Sequence, residues 1–205
     1  MASPPAIARA GQSDWTLMTA IHDALRRDLN QLIHTTASHA AARARWGVFR
    51  DQLHFHLAAE DAVMWRPARA RLAGDPHGQT VLDAMEDEHR LIGPLRAVTD
   101  DAFTMDADPG RLRQLLTRLT SHVAHEEVGV LPLISQVMTR RELGRIARGI
   151  RGGHNVRRAA VTVPWALAGA TPDVCHQVLR QLPAPARLFH RTAWLPRYTA
   201  MSLGC

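Results

Sequence analysis

The chain has 205 residues, 46% hydrophobic and 21% charged, enough for one sizeable domain with its own core and a small appendage. Only 5% of the residues are aromatic, which suits helices better than sheets, because strands draw on aromatic and β-branched side chains. All 25 basic residues are Arg: residues 1–138 carry 14 Arg against 17 acids, and residues 139–205 carry 11 Arg against 2. The two cysteines, Cys175 and Cys205, form neither a disulfide framework nor a thiolate metal site, so a reducing compartment is expected. No apolar run reaches the length of a signal peptide or a membrane span, and the expected location is the cytoplasm.

Apolar residues Leu17, Ile21, Leu25, Leu29 and Leu32 recur at three- and four-residue intervals between Ser13 and Ser38, which predicts a first helix, with Ser13 or Asp14 as its N-cap. A second helical run covers Ala40 to Leu72, with Pro67 expected to kink it. The turn Gly74-Asp75-Pro76 separates it from a third helix over Gln79 to Phe103, expected to bend at Gly93-Pro94. After a loop from Met105 to Gly110, a fourth helix runs from Arg111 to Met138 and contains Pro132. Four long helices joined by short loops predict an all-α, up-down-up-down four-helix bundle over residues 13–138.

Residues 139–205 are predicted to add short C-terminal helices in a basic extension. Thr139 and Glu142 form a capping box, and Thr171-Pro172-Asp173 opens another helix. The stretch after Pro183 reads as one short helix and a loose end. Arg interleaved with Trp165, Leu167, Val178, Leu182, Phe189, Trp194, Leu195 and Tyr198 fits helices that pack on the bundle and leave Arg in water. Docking on an acidic partner or surface is the other reading. Specific nucleic-acid binding is not expected.

The chemistry lies in how His and Glu fall on the four bundle helices. The second helix contains His56-Leu-Ala-Ala-Glu60 and the fourth His122-Val-Ala-His-Glu126. Residues four apart lie about 40° apart around a helix, so each His shares a face with its Glu. The first and third helices each offer one mid-helix His, His22 and His89. Antiparallel folding can bring His22, His56, Glu60, His89, His122 and Glu126 to one point in the core. Four imidazoles and two carboxylates suit two iron or manganese ions better than one zinc, which takes four ligands in a closed site. Burying so many ionisable groups without a metal would be costly. His34, His39, His54 and His125 fall outside this set; His54 and His125 read as surface residues, with contacts around the ligands as the other reading, and Trp15, Trp46 and Trp65 read as packing.

The order of one His, then His-x-x-x-Glu, then one His, then His-x-x-x-Glu resembles the hemerythrin-like (HHE cation-binding) domain family. The segments His22-Asp-Ala-Leu-Arg-Arg-Asp-Leu29, Glu60-Asp-Ala-Val-Met-Trp65 and His122-Val-Ala-His-Glu-Glu-Val-Gly-Val-Leu-Pro132 resemble that family's first, second and fourth helices. The resemblance implies a non-haem di-iron centre, oxo- or hydroxo-bridged, that binds or turns over O2, peroxide or NO. The family's oxygen carriers have a further His four residues before the third-helix His, and here that position is Met85. The remaining coordination position falls to Glu86, Glu127 or solvent, and redox or peroxide chemistry is expected rather than reversible oxygen carriage. A metal-dependent sensor acting through the basic extension is the alternative.

Overall fold

The computed structural model describes residues 15–34, 39–105, 109–153 and 156–203, and among these every regular element is helical. Ser13, Asp14 and Cys205 lie outside the described residues. The first rod is α1 (Thr16–His34). The second runs from α2 (His39–Ala59) through a wide π-helical turn (Glu60–Trp65) into α3 (Arg66–Arg71). The third is α4 (Pro76–Met105), which continues through Pro94. The fourth joins α5 (Pro109–His125), a second π-helical turn (Glu126–Val130) and α6 (Leu131–Val137). No described helix is long and apolar enough to cross a membrane.

The rods pack in a ring, with α1 against α2 and α5, and α4 against α2 and α5. Their apolar stripes build two clusters along the bundle. One gathers Leu25, Leu29, Phe49, Leu53, Leu115 and Leu119; the other gathers Met64, Trp65, Leu82, Met85, Val130 and Ile134. The buried polar centre lies where the rods meet.

Pro67, expected to kink its helix, and Pro132 explain the π turns. Pro67 and Pro132 each come two residues after a π turn ends, at Trp65 and Val130. A proline lacks the N–H for the helical ladder, and its ring collides with the carbonyl four residues earlier. One extra residue in the preceding turn moves that carbonyl aside. A third π turn (His190–Trp194) precedes Pro196 in the same way.

Beyond the bundle come α7 (Arg140–Gly153), α8 (Val156–Leu167), α9 (Pro172–Gln181), α10 (Ala184–Phe189) and, after the third π turn, α11 (Leu195–Leu203). The stretch after Pro183, read from sequence as a short helix with a loose end, is thus helical almost throughout. Its prolines open α10 and follow the π turn instead of breaking the chain. Helices α8 and α9 lie on α1. The Trp165 indole, fully buried, donates to Asp28 Oδ2 at 2.7 Å. Arg27 pairs with Asp28 and donates to the carbonyls of Trp165 and Ala168. A cation thereby adds to the pairing of carbonyls at the end of α8, on the side where the helix dipole is negative.

The capping box predicted at the start of α7 forms in full. Thr139 N–H donates to Glu142 Oε2 at 2.8 Å, and Glu142 N–H donates back to Thr139 Oγ1 at 3.3 Å. Arg71 adds a charge-assisted bond to Glu142 Oε1, at 2.9 Å from Nε. The bonds from Thr139 and then Arg71 hold the Glu142 carboxyl down at about 2 from an ordinary value of 4.5. A depressed carboxyl stabilises the fold above its unfolded value, and that contribution is lost as pH falls from about 4.5 toward about 2. Glu142→Gln should therefore lower the thermal midpoint at neutral pH and flatten its fall through that window, as read by circular dichroism melts. An unchanged acid limb would show that the box contributes nothing.

Candidate metal centre

Each of the six residues singled out in the sequence reaches the bundle interior. His22 projects from α1, His56 from the last turn of α2, His89 from the middle of α4 and His122 from the last turn of α5. Glu60 and Glu126 are the first residues of the two π turns. All six are buried, the carboxylates completely.

Their donor atoms form two groups, each within 4.8 Å: His22, His56, Glu60 and Glu126 in one, Glu60, His89 and His122 in the other. Glu60 belongs to both. Its Oε1 lies 3.1 Å from His56 Nε2 and its Oε2 3.3 Å from His89 Nε2. Glu126 Oε2 lies 3.2 Å from His22 Nε2, and the Nε2 atoms of His89 and His122 face each other at 3.2 Å. The imidazoles pair edge to face, His22 with His56 at 4.8 Å between centroids and His89 with His122 at 4.7 Å.

The outward ring nitrogens are held by carboxylates. His22 Nδ1 donates to Glu127 Oε1 at 2.7 Å, His89 Nδ1 to Asp61 Oδ1 at 2.8 Å and His122 Nδ1 to Glu88 Oε2 at 2.8 Å. The residue after each buried glutamate thus grips a His on another helix. Such bonds fix the tautomer that leaves Nε2 as a lone-pair donor and raise its basicity, as in metal-binding carboxylate–histidine pairs.

The interior cluster has the chemistry of a cation site. Nε2 of His22 and all four oxygens of Glu60 and Glu126 are buried without hydrogen-bond partners in good geometry. Two carboxylates facing four ring nitrogens in a low-dielectric core need positive charge between them. Between the side chains alone, protons supply it. Burial works to depress His22, but Glu126, Glu127 and Glu60 together raise it to about 9. Burial and the charge of Glu126 push Glu60 up to about 7. His122 is lowered by burial and by neighbouring His89. The donor set fits two divalent or trivalent ions sharing a carboxylate.

Several neighbours were not legible in the sequence or were read otherwise. Glu86, one candidate for the open position, pairs instead with Arg69 at 2.8 Å. Glu127, the other, is taken by His22 and Arg26. Met85 is fully buried in the apolar cluster. His125, read as a surface residue, is half-exposed and binds Glu88 Oε1 at 2.9 Å, sharing that carboxylate with His122. Glu88 and Asp61 escaped notice because they sit one position off the ligand face. On the α4 side, an open cleft of about 490 Å³ flanked by Trp65, Arg66 and Arg90 reaches His89.

Four antiparallel rods around a buried His/Glu donor set with an outer ring of carboxylates define a metal-binding helical bundle. The family model for the hemerythrin HHE cation-binding domain matches residues 13–134, and the chain belongs to that family. No curated protein and no solved structure matches the chain.

Proposed function

We propose that the bundle holds two iron ions on His22, His56, Glu60, His89, His122 and Glu126, and that the centre binds or turns over a small oxidant: O2, peroxide or NO. The observation that carries this reading is Glu60, whose two oxygens face donor nitrogens of both groups, at 3.1 Å and 3.3 Å. His22, His56 and Glu126 would hold one ion and His89 with His122 the other, with Glu60 within reach of both. Iron bound there supplies Lewis acidity and electrons.

The chain's own residues set the conditions. Asp61, Glu88 and Glu127 orient the imidazoles through Nδ1. The apolar clusters at either end exclude water. Met85 stands where a further His ligand would sit in the oxygen carriers, and no neighbouring carboxylate replaces it. Glu86 and Glu127 are both engaged elsewhere. A centre short of one ligand favours redox or peroxide turnover over reversible carriage.

Metal analysis with an optical spectrum of the purified protein tests the reading. About two irons per chain with oxo-bridge absorption is the expected result. Stoichiometric zinc, or no metal after reconstitution with ferrous iron, would overturn it.

A further inference from the structure

A second space touches the centre, opposite the open cleft. It is a narrow, partly enclosed void of about 20 Å³ between α1, α2 and α8, bordered by Met18, Ile21, Gln52, His56, Glu60 and Thr162. That is room for about one water-sized molecule. The wall toward α1 is apolar. Apart from His56 and Glu60, the hydrogen-bonding side chains on the wall are Gln52 and Thr162.

Gln52 lies on α2 one turn before His56. Thr162 comes from α8, beyond the segment 13–134 that matches the family. Both are buried, at 6% and 4% exposure. The Thr162 hydroxyl donates to Gln52 Oε1 at 2.7 Å. That bond consumes the acceptor end of the amide and fixes its orientation. What the amide has left is its NH2, which can only donate. A buried amide pinned by a residue from another helix costs ordering entropy and desolvation. A wall needed only to fill space would be apolar, as it is on the α1 side.

We propose that Gln52, held by Thr162, is the specificity-determining residue for the small ligand that enters this void, donating a hydrogen bond to it. The donor favours guests with an accepting atom, such as peroxide, over apolar dioxygen, which an apolar wall would admit equally well. The C-terminal helices therefore complete the pocket of the centre as well as its packing. This inference rests on the six residues forming the metal centre.

The test uses the full chain loaded with ferrous iron and NO as the accepting diatomic probe. In Gln52→Leu, NO should dissociate about tenfold faster, the effect of one hydrogen bond, and its vibrational frequency should move, with iron content unchanged. Thr162→Val should shift both readouts in the same direction, and Thr162→Ser, which keeps the hydroxyl, should restore them. Gln52→Met keeps volume without a donor and serves if the Leu variant fails to fold. Iron-loaded variants with unchanged NO release and frequency would overturn the role of Gln52 while leaving the centre intact. A wild-type chain that takes up no iron would overturn both.

Discussion

Glu60→Ala should empty both halves of the centre at once. Glu60 faces His56 on one side and His89 on the other, so in the proposed two-iron centre its loss would take a donor from each ion. His56→Ala removes a donor from one side alone and should leave residual iron. A ligand held at a thousand times its dissociation constant adds about 4 kcal/mol to stability, on the order of 10 °C in thermal midpoint for a chain of this size. Wild-type protein should lose that increment on treatment with a chelator, whereas Glu60→Ala should melt at the lower temperature with or without it. Without metal, Glu60 is a buried carboxylate beside a second one, and removing it relieves repulsion and desolvation. Metal-free Glu60→Ala should therefore be at least as stable as metal-free wild type. A variant that still carries about two irons per chain would show that Glu60 is not the shared ligand.

Trp165→Ala should produce the second large loss, about 3–5 kcal/mol for truncating a large buried aromatic, again on the order of 10 °C. The indole belongs to the same cluster as Leu25, Leu29 and Phe49, so the cavity opens in the bundle's own core. Truncation also strips Asp28 of the 2.7 Å bond from the indole and loosens the Arg27 contacts at the end of α8. Trp165→Phe should recover more than half of the loss, since it restores most of the volume but not the N–H donor. Urea unfolding followed by circular dichroism measures both. A cost below about 1 kcal/mol for the alanine variant would mean that α8 rests on the bundle without sharing its core.

The four rods and the six inward residues could be read from sequence because both follow helical periodicity. His56 with Glu60, and His122 with Glu126, share a face in any regular helix. The π turns were not read, yet they left a trace. One inward-facing series of buried positions along the second rod runs 42, 46, 49, 53, 56, 60 and then 64, 68, 72. Along the fourth the matching series runs 112, 115, 119, 122, 126 and then 130, 134, 138. Spacing averages near 3.5 before each glutamate and is four after it, which is the signature of a widened turn. Two other features were hidden for different reasons. Helix α8 has Pro164 in its interior, which argues against a helix on local rules. The link from Glu88 to His122 and His125 joins residues of two different helices, and only the packing of α4 against α5 creates it.

The widened turns bear on how such a chain tolerates changes of length. Losing one residue from the middle of α5 would rotate everything beyond it by about 100°, carrying the core side chains away from their partners. Within Glu126–Val130 the same loss would return the turn to ordinary pitch. His122 before it and Ile134 after it would keep their faces toward the interior. Val128, 82% exposed in that turn, is a residue the rod can spare without changing which side faces inward. The two turns that present Glu60 and Glu126 are thus where these rods can lose a residue without turning their inward faces away, at the cost of returning Pro67 or Pro132 to its clash with the carbonyl four residues earlier.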